Sequence, residues 1–299
     1  MQALHACVRQ RHLSAREIAT IIRSGAVFRV VDTGSLEVPT VSIGDAELYT
    51  ETHGAGAPLF LVAGLGGKAS FWASQVSSFA ARFRVITHDH RGTGRSSRSR
   101  IVYSARQMAD DVVRLMDALG IERAHFVGHS TGGAVGQHIA LRYPGRLDRL
   151  VMSGAWCGPD ELFVETFRLR RQILITCGPQ AYHMLGALLA TPADFMRERF
   201  ESLEQYIGPR LEDFPGLEIE LSRLSAVMSH DLRSEVAGIR ARTLVLGALD
   251  DQLTPAGFQR ELAARIQGAE IELFGVGGHF FPITQSDAYN ARVLRFLQA

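Results

Sequence analysis

Cysteine is scarce in this chain: Cys7, Cys157 and Cys177 are the three among 299 residues. Odd in number and scattered, they argue against a disulfide framework and fit a reducing, cytoplasmic setting. Charge of one sign is missing too. The chain has 32 basic and 31 acidic side chains, a formal net charge of +1, and no basic run. Neither nucleic acid nor an anionic membrane is therefore an expected partner. No apolar run approaches the ~18 residues that span a bilayer. The opening residues lack the basic and apolar regions of a secretory signal. Internal repeats and low-complexity segments are absent.

Hydrophobic residues make up 46% of the chain and charged ones 21%, a balance that predicts one large folded domain or two small ones. Residues 1–38 read as an N-terminal arm. Within it, Ser14 and Glu17 have capping-box spacing ahead of an apolar stripe, Ile18, Ile21 and Ile22, that ends at Gly25. A docking or homo-oligomerisation role is assigned to this arm or to the cap described below.

From about residue 40, short apolar runs alternate with amphipathic ones. Strands are predicted over 46–51, 58–63, 84–88, 125–129, 147–153, 243–249 and 270–274. Helices are predicted over 71–83, 105–119, 134–142, 256–266 and 287–297. Such alternation makes an α/β fold with a parallel sheet covered on both faces. It stops over 156–238, where helical patterns occupy 161–176, 181–190, 194–207 and 217–229. That stretch reads as a helical cap inserted into a core formed by 39–155 and 239–299.

The strongest motif is Gly128-His129-Ser130-Thr131-Gly132-Gly133, a G-x-S-x-G between a predicted strand and a predicted helix. Small neighbours allow the sharp turn that lifts a serine Oγ to the carboxyl edge of the sheet, above a helix N-terminus. Ser130 is the candidate nucleophile. His279, in Gly277-Gly278-His279-Phe280-Phe281 after the last strand, is the candidate base. Its orienting acid should lie in Leu249-Asp250-Asp251-Gln252, where Asp251 is favoured over Asp250 and the other aspartate is expected to cap the next helix. An oxyanion hole would use the N–H groups of Thr131 and of Leu65, within Ala63-Gly64-Leu65-Gly66-Gly67. That glycine-rich stretch is no P-loop, because Val62 and Ala69 stand where the motif requires glycine and serine or threonine. His88, Asp89 and His90 lack a second ligand cluster, so no metal is expected. Asp89 and Arg91 instead should pin their loop beside the serine turn. No cofactor is required.

Together with Asp89-His90-Arg91-Gly92-Thr93-Gly94-Arg95-Ser96, these motifs resemble the α/β-hydrolase superfamily over about 45–299. The chain looks most like the group holding the aminoacrylate hydrolases of uracil catabolism and the 3-oxoadipate enol-lactonases. Supporting stretches are Met108-Ala109-Asp110-Asp111 and, in the cap, Ala155-Trp156, Phe167-x-x-Arg170 and Pro192-Ala193-Asp194-Phe195. The long N-terminal arm departs from that group. The resemblance implies a mostly parallel twisted sheet with an inserted cap, and a small, polar, carboxylate-bearing substrate. It implies hydrolysis of an ester, lactone or C–N bond through an acyl-enzyme. Trp156 and Arg170 are the candidate substrate-binding residues, with Arg170 or Arg171 as a carboxylate clamp. The rival readings are a cofactor-free perhydrolase or C–C bond hydrolase on the same triad, and a ligand receptor that retains the triad.

Overall fold

The computed structural model describes residues 39–299, so the amphipathic helix expected in the arm lies outside the described residues. In chain order the elements are β1 (Thr40–Ser42), β2 (Glu47–His53), β3 (Pro58–Val62), a 3₁₀ turn (Ala69–Trp72), α1 (Ala73–Ala80), β4 (Arg84–His88), α2 (Ala105–Ala118), β5 (Ala124–His129), α3 (Thr131–Arg142) and β6 (Leu147–Ser153). The cap follows as α4 (Glu161–Ala190), α5 (Ala193–Arg199), α6 (Leu203–Glu212) and α7 (Leu217–Ser229). The core then resumes with β7 (Arg242–Ala248), α8 (Ala256–Arg265), β8 (Glu270–Phe274), α9 (Phe281–Thr284) and α10 (Ser286–Gln298).

Among the described residues the strands form one sheet of order β1-β2-β4-β3-β5-β6-β7-β8. Pairing is antiparallel for β1–β2 and β2–β4 and parallel from β4 through β8. The period of two in the strands explains why both faces are covered. In β3, Phe60 and Val62 join one apolar cluster with Met108, Val112 and Val135, while Leu59 and Leu61 join another with Trp72, Phe79 and Val293. Helices α2, α3 and α8 thus cover one face, and α1 and α10 the other. Each large side chain so buried contributes about 1.5–3 kcal/mol.

Local sequence accounts for most boundaries. Ser104 Oγ accepts from the Gln107 N–H at 3.0 Å to start α2, and Gly120, at φ 65°, ends it. Ser104 and Gln107 have capping-box spacing, yet only the serine half forms, because the Gln107 amide bonds Asp111 instead. Strand β1, three residues long, has no counterpart in the expected strands. Its pairing with β2, not its own pattern, creates it.

The cap follows expectation in part. The patterns at 161–176 and 181–190 are, as expected, two helical segments, which meet within α4 at a kink where Gly178 takes the non-helical φ 82° ahead of Pro179. By length and composition α4 also contains an apolar stretch long enough to cross a bilayer, contrary to the sequence reading. The kink divides it, and Phe167, Arg170, Tyr182 and Ala187 along it line the cavity described below. The helix expected over 194–207 is two, α5 and α6, separated around residues 200–202.

The loop after β4 ties the sheet edge together as expected of Asp89 and Arg91. Asp89 accepts from the N–H groups of Ala69 (2.8 Å) and Arg95 (2.9 Å). Arg91, almost fully buried, forks onto Asp111 through Nε (3.0 Å) and Nη2 (2.8 Å) and also reaches Asp45. Burial raises the Asp111 carboxyl despite this partner, so the pair fixes geometry more than it adds stability.

Candidate active site

Ser130 stands between β5 and α3 with φ 54° and ψ −118°, the one non-glycine residue at positive φ among the described residues. Such backbone is held only by surroundings that allow nothing else. A Cβ on Gly132 would lie 2.1 Å from the Val62 carbonyl oxygen, and one on Gly128 would lie 2.2 Å from that of Gly132. The Ser130 N–H is fixed on the Ser153 carbonyl at 2.7 Å. Close packing of main chain on main chain therefore makes the turn, and only glycine permits it.

His279 and Asp251 meet from two different loops. The His279 Nδ1–Asp251 Oδ2 distance is 2.8 Å, and the aspartate side chain is wholly buried. Asp251 is further held by the N–H groups of Leu253 (2.8 Å) and Thr254 (2.9 Å). The Thr254 hydroxyl lies 2.8 Å from Asp251 Oδ2, 3.2 Å from His279 Nδ1 and 3.0 Å from the Gly154 carbonyl. Sequence reasoning missed Thr254. Its three-residue spacing from Asp251 was the available signal.

The neighbouring Asp250 does not cap the next helix, as had been expected. Its two oxygens accept from the N–H groups of Gly277 (3.0 Å) and Gly278 (2.9 Å), bracing the loop that carries His279. Helix α8 starts instead at Pro255 with no side-chain cap. A carboxylate at the end of β7 is drawn to paired donors across the sheet edge before it can reach a helix start.

Ser130 and His279 line the same cavity, of about 350 Å³, together with Leu65 and Thr131. The Gly64–Gly67 turn is closed by a Gly67 N–H to Gly64 carbonyl bond of 2.9 Å. A Cβ on Gly64 would sit 3.5 Å from Ser130 Oγ, so the turn rests directly on the serine. The N–H groups of Leu65 and Thr131 take no acceptor among the described residues. His129 adds a second imidazole, 4.7 Å from that of His279 and stacked on Phe71. Neither of its nitrogens has a partner, and burial holds it well below the usual histidine range, hence neutral.

The cap roofs the cavity with Phe167, Arg170, Tyr182, His183 and Glu220. Arg170 is mostly buried, lies 5.0 Å from the ring centres of both Phe167 and Tyr182, and has an unpartnered Nε. Its nearest polar contact is the Tyr182 hydroxyl at 3.4 Å, which itself donates to Glu220 at 2.6 Å. Arg168 and Arg171 of the same helix are exposed. Lys68 pairs with Asp213 across the cavity wall. Trp156 is not among the lining residues. It is buried against Phe163 and His230, 5.0 and 5.5 Å between ring centres, as part of the packing between cap and core. Tyr182, His183 and Glu220 escaped the sequence reading because only the packing of the cap brings them to the cavity; Lys68, in the loop after β3, escaped it too.

The profile of a family described as alpha/beta hydrolase fold matches residues 57–285. A protein of Caulobacter sp. named, provisionally, as the carbamate hydrolase RutD is 40% identical over 255 residues, covering 84% of this chain and 95% of its own length. A protein of the same name from Azorhizobium caulinodans is 38% identical over 259 residues, 87% of this chain and 98% of its own. Among solved structures, the enol-lactonase of Burkholderia xenovorans superposes with a TM-score of 0.79 at 29% identity, covering 87% of this chain and all of that one.

Proposed function

The chain belongs to the alpha/beta hydrolase fold family, and from that premise we propose that it hydrolyses a small carboxylate-bearing ester, lactone or C–N bond through an acyl-enzyme on Ser130. The observation that carries this reading is the 2.8 Å His279–Asp251 contact facing a cavity shared with a serine held at positive φ. Asp251 keeps the proton on Nδ1, leaving Nε2 of His279 to accept the Ser130 hydroxyl proton as Oγ bonds to the substrate carbonyl carbon. The carbonyl oxygen becomes an oxyanion on the Leu65 and Thr131 N–H groups, each worth ~10²–10³ in rate. Collapse breaks the bond to the leaving group, which takes the proton from His279. Water then repeats the sequence on the acyl-enzyme and frees Ser130.

Arg170 supports the carboxylate-bearing substrate. It is a cation facing the cavity with no ion pair among the described residues and an orphaned Nε, so an anionic group would complete it. The names of the relatives, carbamate hydrolase and enol-lactonase, fit the same bond classes. Arg170→Met should raise KM for carboxylate substrates roughly 10- to 100-fold, the loss of one hydrogen-bonded charge, and alter kcat less. Steady-state kinetics on an anionic ester and its neutral amide or alkyl counterpart would reveal whether only the anion is affected.

The central test is labelling by a fluorophosphonate read by intact mass. One adduct on the parent, absent from Ser130→Ala, is the expected result. A folded parent that takes no adduct would overturn the reading.

A further inference from the structure

Arg223 of α7 is completely buried, yet it has no carboxylate within ion-pair distance among the described residues and does not line the cavity. A guanidinium withdrawn from water requires strong hydrogen-bond acceptors in place of the water it loses. Its acceptors are two main-chain carbonyls: Leu65 at 2.7 Å and Arg91 at 3.1 Å. The Tyr103 ring lies 5.6 Å from the guanidinium carbon. Room for this contact depends on Gly67, at φ 64°, where a Cβ would stand 2.9 Å from the Arg223 Nη2. A cap side chain is therefore built into the two loops that flank the serine, with its charge placed on the carbonyl of Leu65, a residue that lines the cavity.

The position in the turn gives this contact a consequence. Leu65 and Gly66 are the central residues between Gly64 and Gly67, whose own hydrogen bond closes the turn. The middle peptide of such a turn can rotate by large angles with little movement at its ends, the difference between turn types I and II. Rotation changes Leu65 ψ and Gly66 φ together and would bring an electron-rich carbonyl round toward the space where an oxyanion develops. The bond from Arg223 holds that carbonyl on the side away from the cavity.

We propose that Arg223 is a positioning residue for the oxyanion loop, so that docking of the cap completes the hydrolytic site. This inference rests on the serine-hydrolase reading above. On that reading the Leu65 N–H acts on the substrate, and Arg223 acts by keeping the carbonyl of the same residue out of the oxyanion space.

The test compares the full-length parent with Arg223→Lys and Arg223→Met. Two quantities are measured: the fluorophosphonate labelling rate, counted per reactive serine from the intact-mass end point, and the inhibition constant of succinate as a protecting carboxylate. Labelling is expected to slow by about 10-fold or more in Arg223→Met and by less in Arg223→Lys, with succinate protection unchanged. Labelling at the parent rate per reactive serine, even with a lower melting temperature, would reduce Arg223 to a structural strut and overturn the proposal. So would a loss of succinate protection in proportion to the rate, which marks collapse of the cavity. If Arg223→Met does not fold, Arg223→Lys decides by the same two criteria. A parent that never labels removes the hydrolase reading and this inference with it, a result distinct from any difference between variants.

Discussion

Asp251→Asn is expected to lower kcat by ~10⁴-fold while Asp250→Asn, one residue away, changes it by less than about 10-fold. The two aspartates face different donors. Asp251 accepts at His279 Nδ1, and an asparagine there can turn its NH₂ toward the ring, favouring the tautomer protonated on Nε2. That tautomer cannot take a proton from serine, and losses of this size are typical of the change. Thr254, 3.2 Å from Nδ1, would keep the ring in place, so the loss should fall on kcat and not on folding. Asp250 supports two glycine N–H groups, and asparagine retains one acceptor oxygen for them. Measuring kcat for any ester the parent turns over, alongside the melting temperature of each variant, separates the two roles. Equal losses would mean that Asp250 also holds the imidazole.

Acid should begin to destabilise the protein as soon as pH falls below about 6.5. Burial lowers His88 to about 4 and His230 to about 3, and holds His90 and His129 well below the usual histidine range. All four therefore have folded-state pKa values below the unfolded value near 6.5. Between the two values the unfolded chain binds more protons, so stability is full above pH 6.5 and is lost as pH falls toward 4. His88 alone, at ~1.4 kcal/mol per pKa unit, contributes about 3 kcal/mol to that loss. The stacked His88 and His90 rings, 5.2 Å apart, cannot both be charged where they lie. Thermal unfolding followed from pH 7.5 to 4.5 should show a steep drop in melting temperature below pH 6.5. His88→Phe should flatten it if the residue folds in neutral form. A flat profile in the parent would show that these rings reach water.

The sheet and the serine turn were legible in the chain because local pattern decides them. Near-continuous apolar runs read as covered strands, and six of the eight observed strands lie within a residue of where their runs placed them. Strand β1 was invisible, since three residues carry no period. The paired glycines around Ser130 announced a tight turn whose reason, main chain against main chain, the structure then supplied. Trp156 shows the limit. A tryptophan just after a strand end, at the entrance to the cap, looks like a pocket wall, but which side of the chain it falls on is set by Phe163 and His230. Arg223 shows it from the other direction. Nothing in its neighbourhood marks it, because its partners are carbonyls 132 and 158 residues away.

The crowding at Gly128 and Gly132 has a consequence for how this scaffold can change. The frame around position 130 fixes a backbone but not a side-chain functional group. Cysteine or aspartate there would inherit the same buried, strained perch at the cavity and present a thiol or carboxylate in place of the hydroxyl. A methyl group at 132 would instead drive into the Val62 carbonyl, 2.1 Å away, and dismantle the perch itself. A new functional group is thus one substitution away at position 130. The hinge of glycine between strand and helix is the part that descendants of this chain would have to keep.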